Sequence, residues 1–139
     1  MNWIIYAIAC VILYGIMQFF IKLASTGSNP VVSSMIFISV QFVAQIILGA
    51  YFISKSDLDI SSDNIKYGIA GGIAAAIATI LLFMALKQAP LSRVLPVVNM
   101  NVVVGVFLGV IFLKDVMNTR IAAGIVLAVM SIYLLTNSS

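Results

Sequence analysis

The chain has 139 residues, of which 63% are hydrophobic and only 8% are charged, and its mean hydropathy is +1.22. A soluble domain carries about 25% charged residues, so the seven basic and four acidic side chains here are too few for a soluble surface. The composition excludes a soluble enzyme and predicts an integral membrane protein. The net charge of +3 is scattered along the chain, which argues against nucleic acid as a partner. With no His and with Cys10 as the single cysteine, we expect no metal site, no cofactor and no disulfide.

Five apolar runs are long enough to cross a bilayer, because a spanning helix needs roughly 20 mostly apolar residues. The turn from Ser25 to Pro30 and the polar stretch from Ser54 to Lys66 separate the first three runs. The predicted helices are residues 3–24, 31–53, 67–86, 91–113 and 119–135, and the fifth is the shortest. We therefore predict an all-α integral membrane protein, a bundle of five transmembrane helices that forms one domain over residues 1–139.

The numbers of Lys and Arg residues on the two sides of the membrane are nearly equal. Five spans place the termini on opposite sides, and the orientation of such a chain follows the Lys and Arg bias of its short loops. Two alternatives stay open: a fixed, weakly specified orientation with the N-terminus inside, or dual topology, in which copies insert both ways and pair antiparallel. The N-terminal side carries Lys55, Lys66, Lys114 and Arg120, and the other side carries Lys22, Lys87 and Arg93.

Small residues at four-residue spacing predict close contacts between helices in lipid. Packing within one chain and packing between two chains are both open, and we expect the fourth and fifth helices to form any dimer seam. The pairs are Gly68 with Gly72, Gly105 with Gly109, and Gly124 with Ala128.

Polar side chains inside the apolar runs are costly in lipid, so each is a candidate for function. Tyr14, Gln18 and Lys22 follow one another at four-residue spacing and share one face of the first helix. They could line a polar pathway, or they could serve as packing, interhelical hydrogen bonding and an interfacial anchor. Gln41 and Gln45 stack in the same way in the second helix, where hydrogen bonding between helices is the favoured interpretation.

The fourth helix holds more polar residues, and Pro96 is predicted to bend or loosen it. Asn99 and Asn101 are about 200° apart on a helix, so only one of them is expected to face a cavity. Arg93 could attract an anionic group or reach the lipid headgroups. All four acids lie in loops, which favours a neutral, zwitterionic or anionic substrate, or uncoupled movement, over cation–proton exchange.

Residues 85–96 (ALKQAPLSRVLP) and 108–115 (LGVIFLKD) resemble EamA-type members of the drug/metabolite transporter superfamily. Three positions depart from the family pattern: Asp115 stands where Glu is more usual, Tyr14 stands where Trp is commoner, and residues 101–102 are Asn-Val where many members have Glu-Pro. The carboxylate of that Glu-Pro pair is therefore missing here. The positions that match the family pattern are Pro90, Ser92, Pro96, Gly109, Asp115 and Gly124.

The resemblance implies one half of a ten-helix transporter built from two inverted repeats. Its central cavity would be lined by the first, third and fourth helices of both halves and opened alternately to either side. Like the small multidrug-resistance branch, such a chain needs a partner. We therefore expect a non-enzymatic small-molecule transporter that works as an antiparallel homodimer in the plasma (inner) membrane. Two alternatives remain: an accessory or structural subunit paired with another small membrane protein, or a component of a lipid-linked sugar flippase in which Lys22 and Arg93 bind phosphate.

Overall fold

The computed structural model describes residues 3–54 and 61–137, and their regular structure is helical. Their contacts divide the chain into an N-terminal unit, Met1–Gln88, and a C-terminal unit, Ala89–Ser139. The helices are α1 (Trp3–Thr26), α2 (Pro30–Ile53), α3 (Ser62–Gln88), α4 (Leu91–Val98), α5 (Asn101–Leu108) and α6 (Thr119–Asn137), with a π-helical turn at Gly109–Leu113.

Helices long and apolar enough to span a membrane make up most of the described chain. They are α1, α2, α3 and the stretch Leu91–Leu113, here called the fourth span, which joins α4, α5 and the π turn. The apolar part of α6, Thr119–Leu134, is shorter. Large apolar side chains are exposed on these helices, as expected of surfaces that face lipid rather than water. The predicted all-α membrane fold with five apolar helices is confirmed.

The third helix begins earlier than the apolar run that predicted it, at Ser62 instead of Tyr67. The Asp63 carboxylate lies in the first turn, where it interacts favourably with the positive end of the helix dipole. The Ser61 hydroxyl oxygen accepts a hydrogen bond from the Asn64 N–H at 3.2 Å. Because polar residues can cap and extend a helix beyond its membrane-embedded part, hydropathy alone misses this first turn.

Packing in the N-terminal unit is tightest at the end that carries the turn between α1 and α2. The ring of Phe83 on α3 is fully buried and lies 5.9 Å, centroid to centroid, from that of Phe37 on α2. Asn29 caps α2 by accepting a hydrogen bond from the Val31 N–H at 2.9 Å. In the described part of this unit every buried side chain lies at this end: Ile21, Ser25, Ser33, Ser34, Phe83 and Leu86.

The fourth span is interrupted near its middle, between Val98 and Asn101. Backbone hydrogen bonds there run to the third residue back: Met100 N–H to Val97 O at 3.1 Å, and Val103 N–H to Met100 O at 2.9 Å. The predicted loosening at Pro96 is wrong in position, because Pro96 lies inside α4. The missing N–H of Pro96 would have paired with Ser92 in the first turn of α4, so its loss leaves the rest of the helix in place.

The π turn ends the fourth span in a tight backbone loop. Lys114 has a φ of 58°, in the left-handed region, and the Asp115 N–H donates to Gly109 O at 3.2 Å. A Cβ at Gly109 would lie 2.6 Å from Asp115 Oδ2, so glycine permits this close approach. Elsewhere in the C-terminal unit, α4 packs on α6. Among the described residues of this unit, Val94 of α4 is the buried apolar side chain.

Candidate functional site

The polar face of α1 changes from exposed to half-buried along its length. The helix is continuous from Trp3 to Thr26, so Tyr14, Gln18 and Lys22 share one face. Tyr14 is 56% exposed, whereas Gln18 and Lys22 are half-buried. The three predicted residues therefore form one stripe that enters the N-terminal unit at its tightly packed end.

Lys22 has a structural contact that the sequence did not indicate. Its Nζ donates a hydrogen bond to the carbonyl oxygen of Leu86, in the last turn of α3, at 2.5 Å. The last four carbonyls of a helix have no partner within the helix, and that end of the helix dipole attracts a cation. Lys22 thus ties α1 to α3, and its role in a substrate pathway stays a prediction.

The predicted residues of the fourth helix lie in the C-terminal unit. Asn99 is the C-cap of α4, Asn101 is the first residue of α5, and the two flank the interruption of the fourth span. Both asparagines and Arg93 are exposed. Arg93 lies in the first turn of α4, so it is at the edge of the span while the asparagines are near its centre. Irregular backbone at that depth is tolerated only where it is buried in protein or lines a water-filled cavity.

A groove between α2 and α3 holds two amides that the sequence assigned to hydrogen bonding between helices. Its volume is about 230 Å³. The side-chain amides of Gln41 and Gln45 form no hydrogen bond with another described residue, and the hydroxyl of Thr79 donates to Ala75 O at 2.8 Å. We call this site the α2–α3 groove; it is lined by Ile38, Gln41, Phe42 and Gln45 of α2 and by Gly72, Ala75, Ala76 and Thr79 of α3.

The glycines predicted to mediate packing fall into two groups. A Cβ added at Gly109 would meet Asp115 within the C-terminal unit. A Cβ added at Gly68, Gly72, Gly105 or Gly124 would find no other described atom within 4 Å. These four positions therefore have room for a neighbour, and their part in packing between chains stays a prediction.

Acidic and metal-binding side chains are sparse at the middle of the spans. Asp63 lies in the first turn of α3, Asp115 follows the π turn, and Asp57 and Asp59 fall outside the described residues. In residues 3–54 and 61–137, no three His, Cys, Asp or Glu side chains come close enough to hold a metal ion. The polar groups near the middle of the described spans are amides, hydroxyls and backbone, which bind through hydrogen bonds.

The apolar spans indicate a multi-pass integral membrane protein, and polar groups beside an interrupted helix are features that secondary transporters share. The chain matches the EamA-like transporter family over residues 1–137 and belongs to that family. The resemblance drawn from residues 85–96 and 108–115 is thereby confirmed, and membership indicates a transporter of the drug/metabolite type.

A protein of Methanocaldococcus jannaschii, "Uncharacterized protein MJ1333.1", is similar over the same length. It is 28% identical over 137 residues, which cover 98% of this chain and 97% of the relative. The relative is therefore itself a chain of about this size. No solved structure matches this chain.

Proposed function

We propose that the chain carries small metabolites or drugs across the plasma membrane by alternating access, and that it works as an antiparallel homodimer. The observation that carries this proposal is the interruption of the fourth span between Val98 and Asn101. Interrupted helices near the bilayer midplane recur at the substrate sites of secondary transporters, where freed backbone groups and helix ends bind the substrate. Asn99 and Asn101 add two amides at this point.

The positions of the charged residues limit the classes of substrate that the chain can bind in the membrane. The acids in the described residues lie at the ends of spans, so no carboxylate there is placed to bind a cation in the middle of the membrane. Arg93 is exposed in the first turn of α4, at the edge of the fourth span. This arrangement favours a neutral, zwitterionic or anionic substrate that binds through amide hydrogen bonds.

Two observations support the homodimer. Lys and Arg residues number four on one side and three on the other, a bias small enough for both orientations. The relative from M. jannaschii is matched over 97% of its own length, so it has about the same length as this chain. Antiparallel pairing would give such a chain the inverted symmetry on which many transporters are built.

Transport by purified protein in proteoliposomes tests the proposal. We expect saturable counterflow of at least one member of a panel of neutral, zwitterionic and anionic metabolites. Asn99→Ala or Asn101→Ala should lower that flux. Ser39→Ala is the matched control, because among the described residues the exposed Ser39 hydroxyl bonds only to Met35 O in its own helix. Absence of saturable flux across the panel, or full activity of both asparagine variants, would overturn the proposal.

Paired C-terminal reporters test the orientation. One reporter is active only inside the cell and the other only outside. We expect both to signal in the same cells, because copies of both orientations are needed for an antiparallel pair. A signal from one reporter alone would rule out the antiparallel homodimer.

A further inference from the structure

The α2–α3 groove holds two carboxamides, near the middle of a membrane-spanning helix, that have no partner among the described residues. Gln41 and Gln45 line the groove on α2, and the side-chain amide of neither bonds to another described residue. An amide in hydrocarbon that lacks a hydrogen bond is costly, because no water is present to replace the missing partner. A partner that places hydrogen-bonding groups in the groove, at the same depth in the membrane, would therefore stabilise these amides.

A second copy of α2 has the chemistry that this site requires. A glutamine amide both donates and accepts hydrogen bonds, so it is complementary to another glutamine. Polar amides hold transmembrane helices together, and small side chains allow their backbones to approach closely. Gly72, Ala75 and Ala76 supply the small side chains on the α3 wall, and a Cβ at Gly72 would meet no described atom within 4 Å.

We infer that the α2–α3 groove is the contact surface between two antiparallel copies of this chain, with α2 crossing its counterpart at its midpoint. The inference rests on the proposed homodimer and assigns its seam, which the sequence placed on the fourth and fifth helices. The amides of Gln41 pair across the seam, and the small residues of α3 receive the partner's α2 side chains.

Symmetry supports this placement. A two-fold axis in the membrane plane inverts depth, so a residue can meet its own counterpart only at the midplane. Helix α2 runs from Pro30 to Ile53, which puts its midpoint between Gln41 and Phe42. Gln41 therefore lies about 1 Å in depth from the midpoint, and Ile38 and Gln45 lie at equal distances of about 5 Å on either side. The residues that α2 contributes to the groove are thus arranged symmetrically about its midpoint.

Cysteine cross-linking in native membranes tests the inference, with the exposed native cysteine removed as Cys10→Ser. We expect Gln41→Cys to cross-link to itself. We also expect cross-links between co-expressed, differently tagged Ile38→Cys and Gln45→Cys chains. Neither of these two should cross-link to itself, since its counterpart would lie about 10 Å away in depth. Val40→Cys is the matched control, because it is near the same depth on the opposite face of α2 and should not cross-link.

A second measurement uses variants that remove the amides. Gln41 and Gln45 are exposed in the chain, so Gln41→Leu with Gln45→Leu should leave the fold intact. We expect dimerisation in lipid, measured by single-molecule photobleaching, to weaken roughly tenfold, which is the scale of an interhelical amide hydrogen bond. Unchanged dimerisation of this double variant would overturn the inference.

The remaining outcomes separate the inference from the proposed function. Self-cross-links at positions 38, 41 and 45 without mixed cross-links would show parallel pairing and overturn the inference. Cross-links through Gly105→Cys or Gly124→Cys, with none in the groove, would place the seam elsewhere and leave the transporter proposal intact. Groove cross-links in a protein without saturable flux would support the inference and overturn the proposed function.

Discussion

At the scale of single residues, the side chain of Lys22 links two helices through a hydrogen bond. Its Nζ reaches the carbonyl of Leu86 at the end of α3. Lys22→Met keeps most of the aliphatic stem and removes the donor and the charge. We expect it to lower the free energy of unfolding by about 1–3 kcal/mol, because a half-buried carbonyl loses its partner. Thermal unfolding in detergent measures this change.

Lys87→Met is the matched control, because Lys87 is an exposed lysine at the same end of α3. Equal unfolding midpoints for the two variants would contradict a structural role for Lys22. Loss of transport by Lys22→Met without any loss of stability would instead favour the pathway role predicted from the spacing of Tyr14, Gln18 and Lys22.

Ser33 is a second residue that links two helices, in this case through its hydroxyl. It is 7% exposed, donates to Ala24 O at 3.0 Å and lies 2.5 Å from the hydroxyl of Ser28. Ser33→Ala should lower the free energy of unfolding by about 1–2 kcal/mol, because the variant loses the hydrogen bonds that the buried Ser33 hydroxyl makes with Ala24 O and the Ser28 hydroxyl. In the same thermal assay Ser39→Ala should unfold close to wild type. A Ser33→Ala protein as stable as the control would refute this role.

The sequence predicts which residues share a helix face, but it does not predict the contacts between helices. Spacing alone put Tyr14, Gln18 and Lys22 on one face, since that depends only on helix geometry. The Lys22–Leu86 hydrogen bond depends on how α1 and α3 meet, which spacing within one helix does not determine. The buried serines were missed because the segment before Pro30 was treated only as a turn, although serines on both sides of it are a signal for hydroxyl contacts at helix ends.

At the scale of elements, the interruption of the fourth span has a local cause that can be removed. Asparagine is a poorer helix former than leucine, and Asn99 and Asn101 flank the break. The double variant Asn99→Leu with Asn101→Leu should extend the regular helix and raise the free energy of unfolding by roughly 1 kcal/mol. It should also lower transport, because the two amides are lost. Hydrogen exchange at residues 99–103 and counterflow flux measure the two effects.

Faster or unchanged exchange at residues 99–103 in that variant would show that the asparagines do not cause the break. The apolar runs predicted where the helices lie because each run is long enough to span the bilayer. The position of the break was not predicted, since Pro96 suggested a bend at a point where its missing N–H affects only the first turn of α4.

At the scale of the whole molecule, the near balance of basic residues predicts that orientation responds to small changes of charge. Lys66→Gln with Lys114→Gln leaves two basic residues on the N-terminal side against three on the other. We expect the population to shift toward copies with the N-terminus outside, because Lys and Arg favour the cytoplasmic side. Paired C-terminal reporters measure the shift, and Lys22→Gln with Lys87→Gln should move it the opposite way. Equal reporter ratios in all three proteins would show that these charges do not set orientation.

The packing of the N-terminal unit has a mechanical consequence. Its buried side chains lie at the end with the α1–α2 turn, so α1, α2 and α3 are clamped there while their other ends have no buried side chain among the described residues. A helix that is held at one end moves most at its other end when it rotates about the held end. A rotation of about 10° at the clamp displaces the far end of a 24-residue helix by about 6 Å, while side chains beside the clamp barely move. A small change of packing around Phe83 would therefore displace the far ends of these helices, on the other side of the membrane, much more than the packed ends.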